Sequence, residues 1–327
     1  MKVLFIGGTG NISTLLSKLC CERGIDLYLL NRGTRKVEIP GAKIISGDIS
    51  SKEIASVLKD HYWDVVVNWI AFTKEDVERD IELFRNKTKQ YIFISSASVY
   101  QKPPLHPVIT ESTPLCNPFW QYSRNKIACE ELLNYVYRED GFPATIVRPS
   151  LTFDTVIPLI MGAWTEYTII DRMKKGEKIV VHGDGTSLWV VTHAEDFAKG
   201  FIGLIGHQQA IGHAFHITTD EVLTWNQMYE ATAAAVGTEA NIVHIPSDFI
   251  CEYDEYYTGS LLGDKSYSVI FDNTKIKTFV PGYTAKIPFS EGIKRTIAWF
   301  EADPARMIIK KESNDFIDGL IQAYEGK

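Results

Sequence analysis

The chain opens with an unbroken apolar run that passes directly into glycines and then into a helical repeat. Residues 2–6 (KVLFI) have the apolar, partly β-branched character of a strand buried on both faces. After the turn at residues 7–13 (GGTGNIS), apolar side chains recur at helical spacing: Ile12, Leu15, Leu16 and Leu19. This repeat predicts a helix over about 11–23, and residues 26–30 (DLYLL) predict a second buried strand. The order is that of a parallel strand–helix–strand crossover.

The alternation of buried strands and amphipathic helices continues along the chain. Further strands are predicted at 42–46, 64–70 and 90–94, and helices at 51–58, 74–84 and from Tyr122 onwards. This order predicts an α/β fold, a doubly wound parallel (Rossmann) sheet whose ligand lies beyond the carboxyl ends of the strands. We expect a dinucleotide-binding core over 1–150 and mainly a smaller C-terminal substrate-binding lobe over 151–327, with segments near 190–218 returning to the core.

Shorter patterns predict the elements of the second half. Strands are expected at 178–181, 188–191, 213–217 and 242–245, of which 213–217 completes the main sheet, and a helix over 288–302 closes the fold. Thr224 is expected to cap a helix over 225–236, and Asp196 one that runs through Phe201. Trp189 lies between apolar residues, which favours a core position over stacking on a ligand. His193 is expected to be structural rather than a base.

The glycine turn predicts a dinucleotide site. A backbone that turns sharply from strand to helix needs a residue without Cβ, and so does a backbone that touches a diphosphate. Gly7 and Gly10 suit these two roles, and the helix start offers free amide groups and a positive dipole end. The predicted cofactor contacts at this turn are Gly7, Thr9, Gly10, Asn11 and Ile12.

The ends of the next strands predict which dinucleotide binds. The second strand ends in Asn31 and Arg32, with Arg35 close behind, and it lacks the carboxylate that accepts bonds from the ribose of NAD. Two guanidinium groups could hold a 2′-phosphate, so we expect NADP, with NAD as the alternative. Asp48 and Ile49 are expected to hold the adenine, although Asp48 could instead cap the helix near Ser51. Ala71 is expected beside the ribose and nicotinamide.

Composition excludes several classes of protein. The net charge of −7 over 327 residues argues against nucleic acid as the main ligand, because phosphate binding needs a cationic surface. No apolar run is long enough for a membrane span, so we expect no membrane association. Five cysteines without a paired Cys-x-x-Cys motif favour reduced thiols in a cytoplasmic protein without a metal site.

Candidate chemistry follows the fifth strand. Residues 95–100 (SSASVY) carry hydroxyls to the mouth of the predicted crevice, and Tyr122 and Lys126 lie one helical turn apart on a following helix. Lowering a phenol pKa by about three units needs roughly 4 kcal/mol, which one ammonium at about 4 Å can supply. We therefore predict Tyr122 as the general acid/base, Lys126 as its activator, and Ser96 as the donor to the substrate oxygen.

These motifs jointly resemble the extended short-chain dehydrogenase/reductases, the NAD-dependent epimerase/dehydratase family. The resemblance rests on segments in the family's order and spacing: the Gly7-x-x-Gly10 turn, 47–49 (GDI), 95–100, Tyr122-x-x-x-Lys126, Arg148-Pro149, 183–186 (GDGT) and 272–275 (DNTK). It implies hydride transfer at a hydroxyl or carbonyl of a sugar, nucleotide sugar or related small polar metabolite. It also implies that Lys126 holds the ribose hydroxyls, that Pro149 lies against the nicotinamide carboxamide, and that the chain could form a homodimer through two long helices of the main domain.

Departures from the family pattern narrow the activity. Ser13 replaces the usual third glycine of the turn, so the helix either lies farther from the first strand or uses the hydroxyl as a cap. The residues after 183–186 lack the arginine that many nucleotide-sugar enzymes of the family use. Ala97 and Ser98 replace the acidic pair of the sugar 4,6-dehydratases, which excludes that dehydration and leaves epimerisation or ketone reduction. The alternative is a non-catalytic dinucleotide- or RNA-binding member, since residues 31–33 (NRG) are similar to those of chloroplast stem-loop RNA-binding relatives.

Overall fold

A parallel sheet of seven strands forms the centre of the main body of the protein. The structure is a computed structural model that describes residues 1–34 and 37–326, apart from the side chain of Lys59. The strands of the described residues are β1 (Lys2–Ile6), β2 (Asp26–Asn31), β3 (Lys43–Ser46), β4 (Val65–Asn68), β5 (Tyr91–Ile94), β6 (Val108–Ile109), β7 (Ala144–Pro149), β8 (Leu151–Phe153), β9 (Ile179–His182), β10 (Leu188–Trp189), β11 (Val191–His193), β12 (Ala214–Ile217), β13 (Leu223–Thr224), β14 (Ile242–Ile245) and β15 (Ile270–Phe271). The order in the sheet is β12-β7-β5-β4-β1-β2-β3.

Helices cover both faces of this sheet and build the second lobe. Those of the described residues are α1 (Ser13–Glu22), α2 (Lys52–Lys59), α3 (Lys74–Phe84), α4 (Gln121–Asp140), α5 (Thr168–Lys175), α6 (Ala194–Ile202), α7 (Trp225–Ala235), α8 (Ser247–Tyr253), α9 (Tyr256–Ser260), α10 (Thr274–Phe279), α11 (Phe289–Glu301) and α12 (Lys311–Glu325). Leu16 of α1 and Phe197 of α6 pack on one face of the sheet, and Val77 of α3 and Leu133 of α4 on the other. The doubly wound parallel sheet is therefore confirmed.

The register of the sheet follows from its apolar strands. Each pair in it is parallel, for example Phe5 of β1 beside Leu29 of β2 and Val67 of β4. The central strands are buried on both faces, as their continuous apolar sequences predict. The carboxyl ends of β1, β2, β4, β5 and β7 consequently meet at one edge, where the order reverses between β1 and β4.

The second lobe packs a separate apolar core against this edge. Helices α5, α7 and α11 surround the buried side chains of Trp189, Trp225 and Ile293. Two short parallel pairs join the lobe to the main body: β8 with β11, and β6 with β15. The pair of β6 with β15 holds residues 270–271 beside residues 108–109. The segment that precedes β15 therefore lies near the carboxyl ends of the sheet strands.

Several local expectations prove wrong. The predicted strand 188–191 is two strands, because Leu188–Trp189 pairs antiparallel with β13 whereas Val191–His193 pairs parallel with β8. The fold also continues beyond the expected closing helix, since α12 buries Ile317, Leu320 and Ile321 against the lobe.

Two capping assignments also change. Ser51 caps α2 by accepting a bond from the Ile54 amide, so Asp48 is not the cap. His193, rather than Asp196, caps α6, and the carboxylate of Asp196 instead accepts bonds from the Lys286 and Ile287 amides. Thr224 caps α7 in a capping box with Gln227, as predicted.

Candidate active site

A cleft of about 860 Å³ runs along the carboxyl ends of the strands. It extends from the glycine turn, past the ends of β2 and β3, to the start of α4, and the second lobe forms its other wall. Its lining includes these predicted residues: Gly7, Thr9, Gly10, Asn11, Ile12, Asn31, Arg32, Asp48, Ile49, Ser96, Tyr122, Lys126 and Pro149. A concave site of this volume is typical of a binding pocket for a small molecule or cofactor.

The glycine turn packs closely against β2 and the segment that follows β4. Gly7 and Gly8 have φ of +93° and +101°, a region that favours glycine. A Cβ on Gly8 would lie 2.8 Å from Cδ2 of Leu29, and one on Gly7 would lie 3.2 Å from Cβ of Trp69. The hydroxyl of Ser17 donates to the Gly8 carbonyl at 2.7 Å and ties the turn to α1. The turn is thus held as a tight cradle below the start of the helix.

The start of α1 shows how the chain accommodates Ser13. Its buried hydroxyl accepts a hydrogen bond from the Gly10 amide at 2.8 Å, so Ser13 ties the glycine turn to the helix without capping it. The Asn11 side chain donates to the Thr152 carbonyl at 2.9 Å and accepts from the Asp154 amide at 3.1 Å. Asn11 therefore joins the turn to the second lobe. The Thr14 amide of α1 donates to the Gly10 carbonyl at 3.0 Å, and the positive dipole end of the helix at this point is suited to an anion.

The ends of β2 and β3 form the part of the cleft expected to hold the adenosine. Nη1 of Arg32 lies 3.8 Å from Oδ2 of Asp48, and both side chains are exposed. Bonds from the hydroxyl and amide of Ser50 lower the pKa of Asp48, so its carboxylate stays charged. Oδ1 of the Asn31 side chain accepts from the Gly33 amide at 3.0 Å. Among the described residues, the guanidinium groups of Arg32 and Arg79 both line the cleft, and both also lower the Asp48 pKa, whereas Arg35 lies outside the described residues.

The segment after β4 is fixed by a buried acidic network. Asp80, fully buried, accepts bonds from Asn68 and from the Tyr91 hydroxyl, the latter at 2.7 Å, and Arg79 lies 3.3 Å away. Burial raises the pKa of Asp80. Asn68 in turn accepts from the Ile70 amide at 2.8 Å. The network holds the chain that passes below the cleft.

Ala71 differs from its predicted role in this segment. It is completely buried below the cleft, and its neighbours Ile70 and Phe72 line the cavity instead. The Ala71 carbonyl accepts a bond from Nζ of Lys126 at 2.6 Å. Ala71 thus acts on the site through its backbone, by holding the lysine.

Tyr122 and Lys126 share one face at the start of α4. Nζ of Lys126 also donates to the Ile94 carbonyl at 2.8 Å and lies 5.8 Å from the centroid of the Tyr122 ring. The Tyr122 ring lies between Phe72 and Trp120, at centroid distances of 6.5 and 5.1 Å. The two side chains point into the same end of the cleft, and two of the three ammonium protons are already bonded.

The electrostatics of this pair differ from the sequence-based expectation. Burial lowers the pKa of Lys126 to about 8. Burial raises the pKa of Tyr122, with a smaller contribution from the Asp264 carboxylate, while its hydrogen bond with Ser96 acts in the opposite direction. Without a cofactor, Lys126 therefore does not lower the Tyr122 pKa as predicted. The phenol is therefore neutral at neutral pH.

Ser96 belongs to a chain of hydroxyl groups at the end of β5. Its oxygen lies 2.9 Å from that of Ser98, which accepts from the Ser123 hydroxyl at 2.7 Å. The Ser98 amide donates to Ser96 at 3.2 Å. Ser96, Tyr122 and Lys126 thus lie in one hydrogen-bonded end of the cleft, although Ser98 and Ser123 were not assigned a role from sequence.

Other lining residues escaped sequence analysis because their segments are distant in sequence. Arg79 of α3, Trp120, Trp164, Asp264 and Lys265 all line the cleft. Only Trp120 carried a usable signal, since it lies two positions before Tyr122. Trp189 instead packs in the lobe core with its ring 5.7 Å from that of Trp225. His193 is buried and accepts from the Glu195 amide, which is a structural role.

The described part of the chain has neither a membrane-spanning helix nor a cluster of metal ligands. Over residues 1–34 and 37–326, no helix has the length and apolar character that a membrane crossing needs. Within the same ranges, no group of three or more histidine, cysteine, aspartate or glutamate side chains is arranged to hold a metal ion.

Comparison with known proteins agrees with this architecture. The model of a family described as "NAD dependent epimerase/dehydratase family" matches residues 3–218. A chloroplast stem-loop binding protein of 41 kDa from Arabidopsis thaliana is 29% identical over 265 residues, which are 76% of this chain and 67% of that protein. A UDP-glucose 4-epimerase from Lactobacillus helveticus is 31% identical over 45% of this chain and 51% of its own.

A solved structure shows the same fold. The UDP-glucuronic acid 4-epimerase of Bacillus cereus, in a mutant form with a fluorinated UDP-glucuronic acid and NAD, superposes with a TM-score of 0.74. The match covers 92% of this chain and 99% of that chain at 16% sequence identity. At this identity the likeness establishes the fold alone.

Proposed function

The chain belongs to the NAD dependent epimerase/dehydratase family, and we propose that it transfers hydride between a nicotinamide dinucleotide and a hydroxyl or carbonyl of a sugar, nucleotide sugar or related small polar metabolite. The observation that carries the proposal is that Ser96, Tyr122 and Lys126 line one cleft together, with Nζ of the buried Lys126 5.8 Å from the centroid of the Tyr122 ring. These groups lie in the same cleft as a glycine turn at the start of a helix.

The cleft suits a dinucleotide at both ends. The cradle at Gly7 and Gly8 and the positive dipole end of α1 suit a diphosphate. Lys126 has one ammonium proton beyond the two that bind carbonyls, and this proton can reach a ribose hydroxyl. Pro149 would lie against the nicotinamide. The cofactor supplies or accepts the hydride, and the other steps belong to side chains of this chain.

Tyr122 carries the proton in this proposal. Because burial keeps its phenol neutral, Tyr122 can donate a proton to a carbonyl oxygen as that carbon is reduced. Ser96 donates to the same oxygen and stabilises the developing charge. In the reverse direction the phenolate accepts the hydroxyl proton, and the ammonium of Lys126 stabilises that charge through the low-dielectric interior.

The proposed cofactor is NADP, with NAD as the alternative. The end of β2 offers Asn31 and Arg32, and neither would repel a 2′-phosphate. The solved epimerase from Bacillus cereus contains NAD, which makes the choice between the two cofactors an experimental question.

Replacing Arg32 by alanine is expected to weaken NADPH binding about 10- to 100-fold, because a charge-assisted bond to phosphate is lost. NADH should be held as well as before, since removing Arg32 leaves the Asp48 carboxylate available to ribose hydroxyls. Fluorescence titration with each nucleotide measures both affinities. The control is Arg23→Ala, an exposed arginine at the end of α1. Equal losses for the two nucleotides would contradict the phosphate contact.

The activity itself is tested with the wild-type protein. Titration with NADPH and NADH establishes cofactor binding, and turnover is then measured with nucleotide sugars and with keto sugars. The proposal predicts binding of at least one nucleotide and turnover of at least one compound. Cofactor binding without turnover of any member of the panel would favour the second candidate.

That second candidate is a non-catalytic dinucleotide- or RNA-binding protein. Similarity to the chloroplast stem-loop binding protein favours it. The net charge of −7 and the intact Ser96, Tyr122 and Lys126 favour the enzyme. A gel-shift measurement with a stem-loop RNA at physiological salt separates the two candidates, because the enzyme is expected to give no shift.

The expectation that two copies of the chain form a homodimer also stays a prediction.

A further inference from the structure

A charged cluster lies beside Tyr122 and takes no part in the proposed proton transfer. Asp264 and Lys265 line the cleft, and Lys102, with only 2% of its side chain exposed, is buried next to them. Nζ of Lys102 lies 3.4 Å from Oδ1 of Asp264, and Nζ of Lys265 lies 3.4 Å from Oδ2 of the same carboxylate. These three residues are called the lysine cluster.

The lysine cluster carries more positive than negative charge. Two ammonium groups share one carboxylate, and in the described ranges Asp264 is the only carboxylate within 4.0 Å of either of them. A buried charge is costly unless it is paired. Burial lowers the pKa of Lys102, and Asp264 acts against that effect. A second anion at this place would pair the excess charge.

The cluster lies within the reach of a substrate bound at Tyr122. Nζ of Lys265 is 5.7 Å from the centroid of the Trp120 ring, whose centroid is 5.1 Å from that of Tyr122. Asp264 is close enough to raise the Tyr122 pKa. A sugar derivative with its reacting oxygen at Tyr122 can therefore extend one of its other groups to Lys265.

The segment that carries the cluster is firmly attached to the catalytic end of the cleft. The buried Asn117 donates to the Gly263 carbonyl at 2.7 Å and to the Ser98 carbonyl at 2.9 Å. Trp120 packs on Gly259 and Gly263. An added Cβ would lie 2.3 Å from a Trp120 atom at Gly259 and 3.0 Å from one at Gly263. Residues 261–265 form a π-helical turn, a conformation often found at functional sites.

We propose that the lysine cluster binds an oxyanion of the substrate, either a carboxylate or a phosphate group, through the ammonium of Lys265. The substrate is then an acidic sugar derivative rather than a neutral one. Lys102 and Asp264 hold Lys265 in position and keep the local charge positive. The inference rests on the proposed function only in placing the reacting carbon at Tyr122.

The test compares probes that differ in one group. UDP-glucuronic acid and UDP-glucose differ in a carboxylate, glucose 6-phosphate and glucose differ in a phosphate, and UDP supplies the diphosphate alone. Calorimetry measures their binding to the wild type and to Lys265→Met, Lys265→Arg and Lys178→Met. Lys178 is a half-exposed lysine of the lobe that pairs with Glu325.

We expect Lys265→Met to weaken at least one acidic probe by about tenfold or more. Lys265→Arg should retain most of the affinity for the acidic probes, and Lys178→Met should retain all of it. The affinity for neutral glucose should be the same in every variant. The probe whose affinity falls in Lys265→Met identifies the oxyanion. Weaker binding of UDP-glucuronic acid alone indicates a sugar carboxylate, and weaker binding of glucose 6-phosphate indicates a sugar phosphate. Equal losses of affinity for UDP and UDP-glucose indicate the diphosphate.

Failure of this inference is distinguishable from failure of the proposed function. Each titration is run with and without saturating NADPH or NADH. If no acidic probe binds the wild type, or if Lys265→Met and Lys178→Met give the same affinities, the oxyanion site is refuted even though the cofactor binds. If neither nucleotide binds, the proposed hydride transfer is refuted, and the probe titrations without cofactor still report on the lysine cluster.

Discussion

Replacing Tyr122 by phenylalanine is expected to lower turnover by about 10²- to 10⁴-fold, the usual contribution of a positioned acid or base. The substitution removes only the phenol hydroxyl, which is the proposed proton carrier. The ring that packs between Phe72 and Trp120 stays in place, and so does Lys126. Affinity for the nicotinamide nucleotide should therefore be retained, which a fluorescence titration of the variant measures beside its turnover.

The matched control for this prediction is Tyr135→Phe. Tyr135 lies on the same helix, α4, but is 56% exposed and remote from the cleft lining. The control should have wild-type turnover. Full turnover by Tyr122→Phe would show that another group transfers the proton, and a loss of cofactor binding equal to the loss of turnover would show that Tyr122 acts on the cofactor site instead.

Replacing Glu130 by glutamine is expected to destabilise the protein by about 3–5 kcal/mol, the cost of leaving a buried charge without its partner. Arg148 donates from Nε to Oε1 of Glu130 at 3.0 Å and from Nη2 to Oε2 at 2.6 Å. Glu130 is completely buried, and Arg148 is nearly so. Burial opposes the charge of Arg148, but Glu130 outweighs it and raises the Arg148 pKa.

The ion pair of Glu130 and Arg148 connects α4 with the end of β7. The Ser95 hydroxyl, which donates to Glu130, connects it also with the end of β5. The denaturation midpoint in urea, with its slope, measures the change in the free energy of unfolding. The control is Glu131→Gln, an exposed neighbour on the same helix, which should lie within about 0.5 kcal/mol of the wild type. A Glu130→Gln variant as stable as this control would mean that the pair contributes nothing to the fold.

The fold was predictable because its signals are local. The strand at 2–6, the glycine turn and the helical repeat after it lie within one short stretch, and the strands near 65–68 and 91–94 carry continuous apolar runs. Ser96, Tyr122 and Lys126 could be chosen because strand ends meet at one edge of a parallel sheet and because residues four apart share a helix face.

The substrate side of the cleft was not predictable by the same reasoning. Asp264 and Lys265 reach Tyr122 only because β15 pairs with β6, a contact between residues more than 150 positions apart. Their sequence has no periodic or motif signal. The raised pKa of Tyr122 was also hidden, since burial depends on Phe72, Trp120 and the second lobe together.

The central claim is hydride transfer at a carbon whose oxygen exchanges a proton with Tyr122. Its most direct test is the absorbance of reduced nicotinamide in a single turnover, after wild-type protein loaded with oxidised cofactor is mixed with nucleotide sugars, sugar phosphates and sugar acids. The account predicts that at least one compound produces reduced nicotinamide with the wild type and that Tyr122→Phe produces it at least about a hundredfold more slowly. Bound cofactor that is reduced by no compound, or reduced equally fast by both proteins, would contradict it.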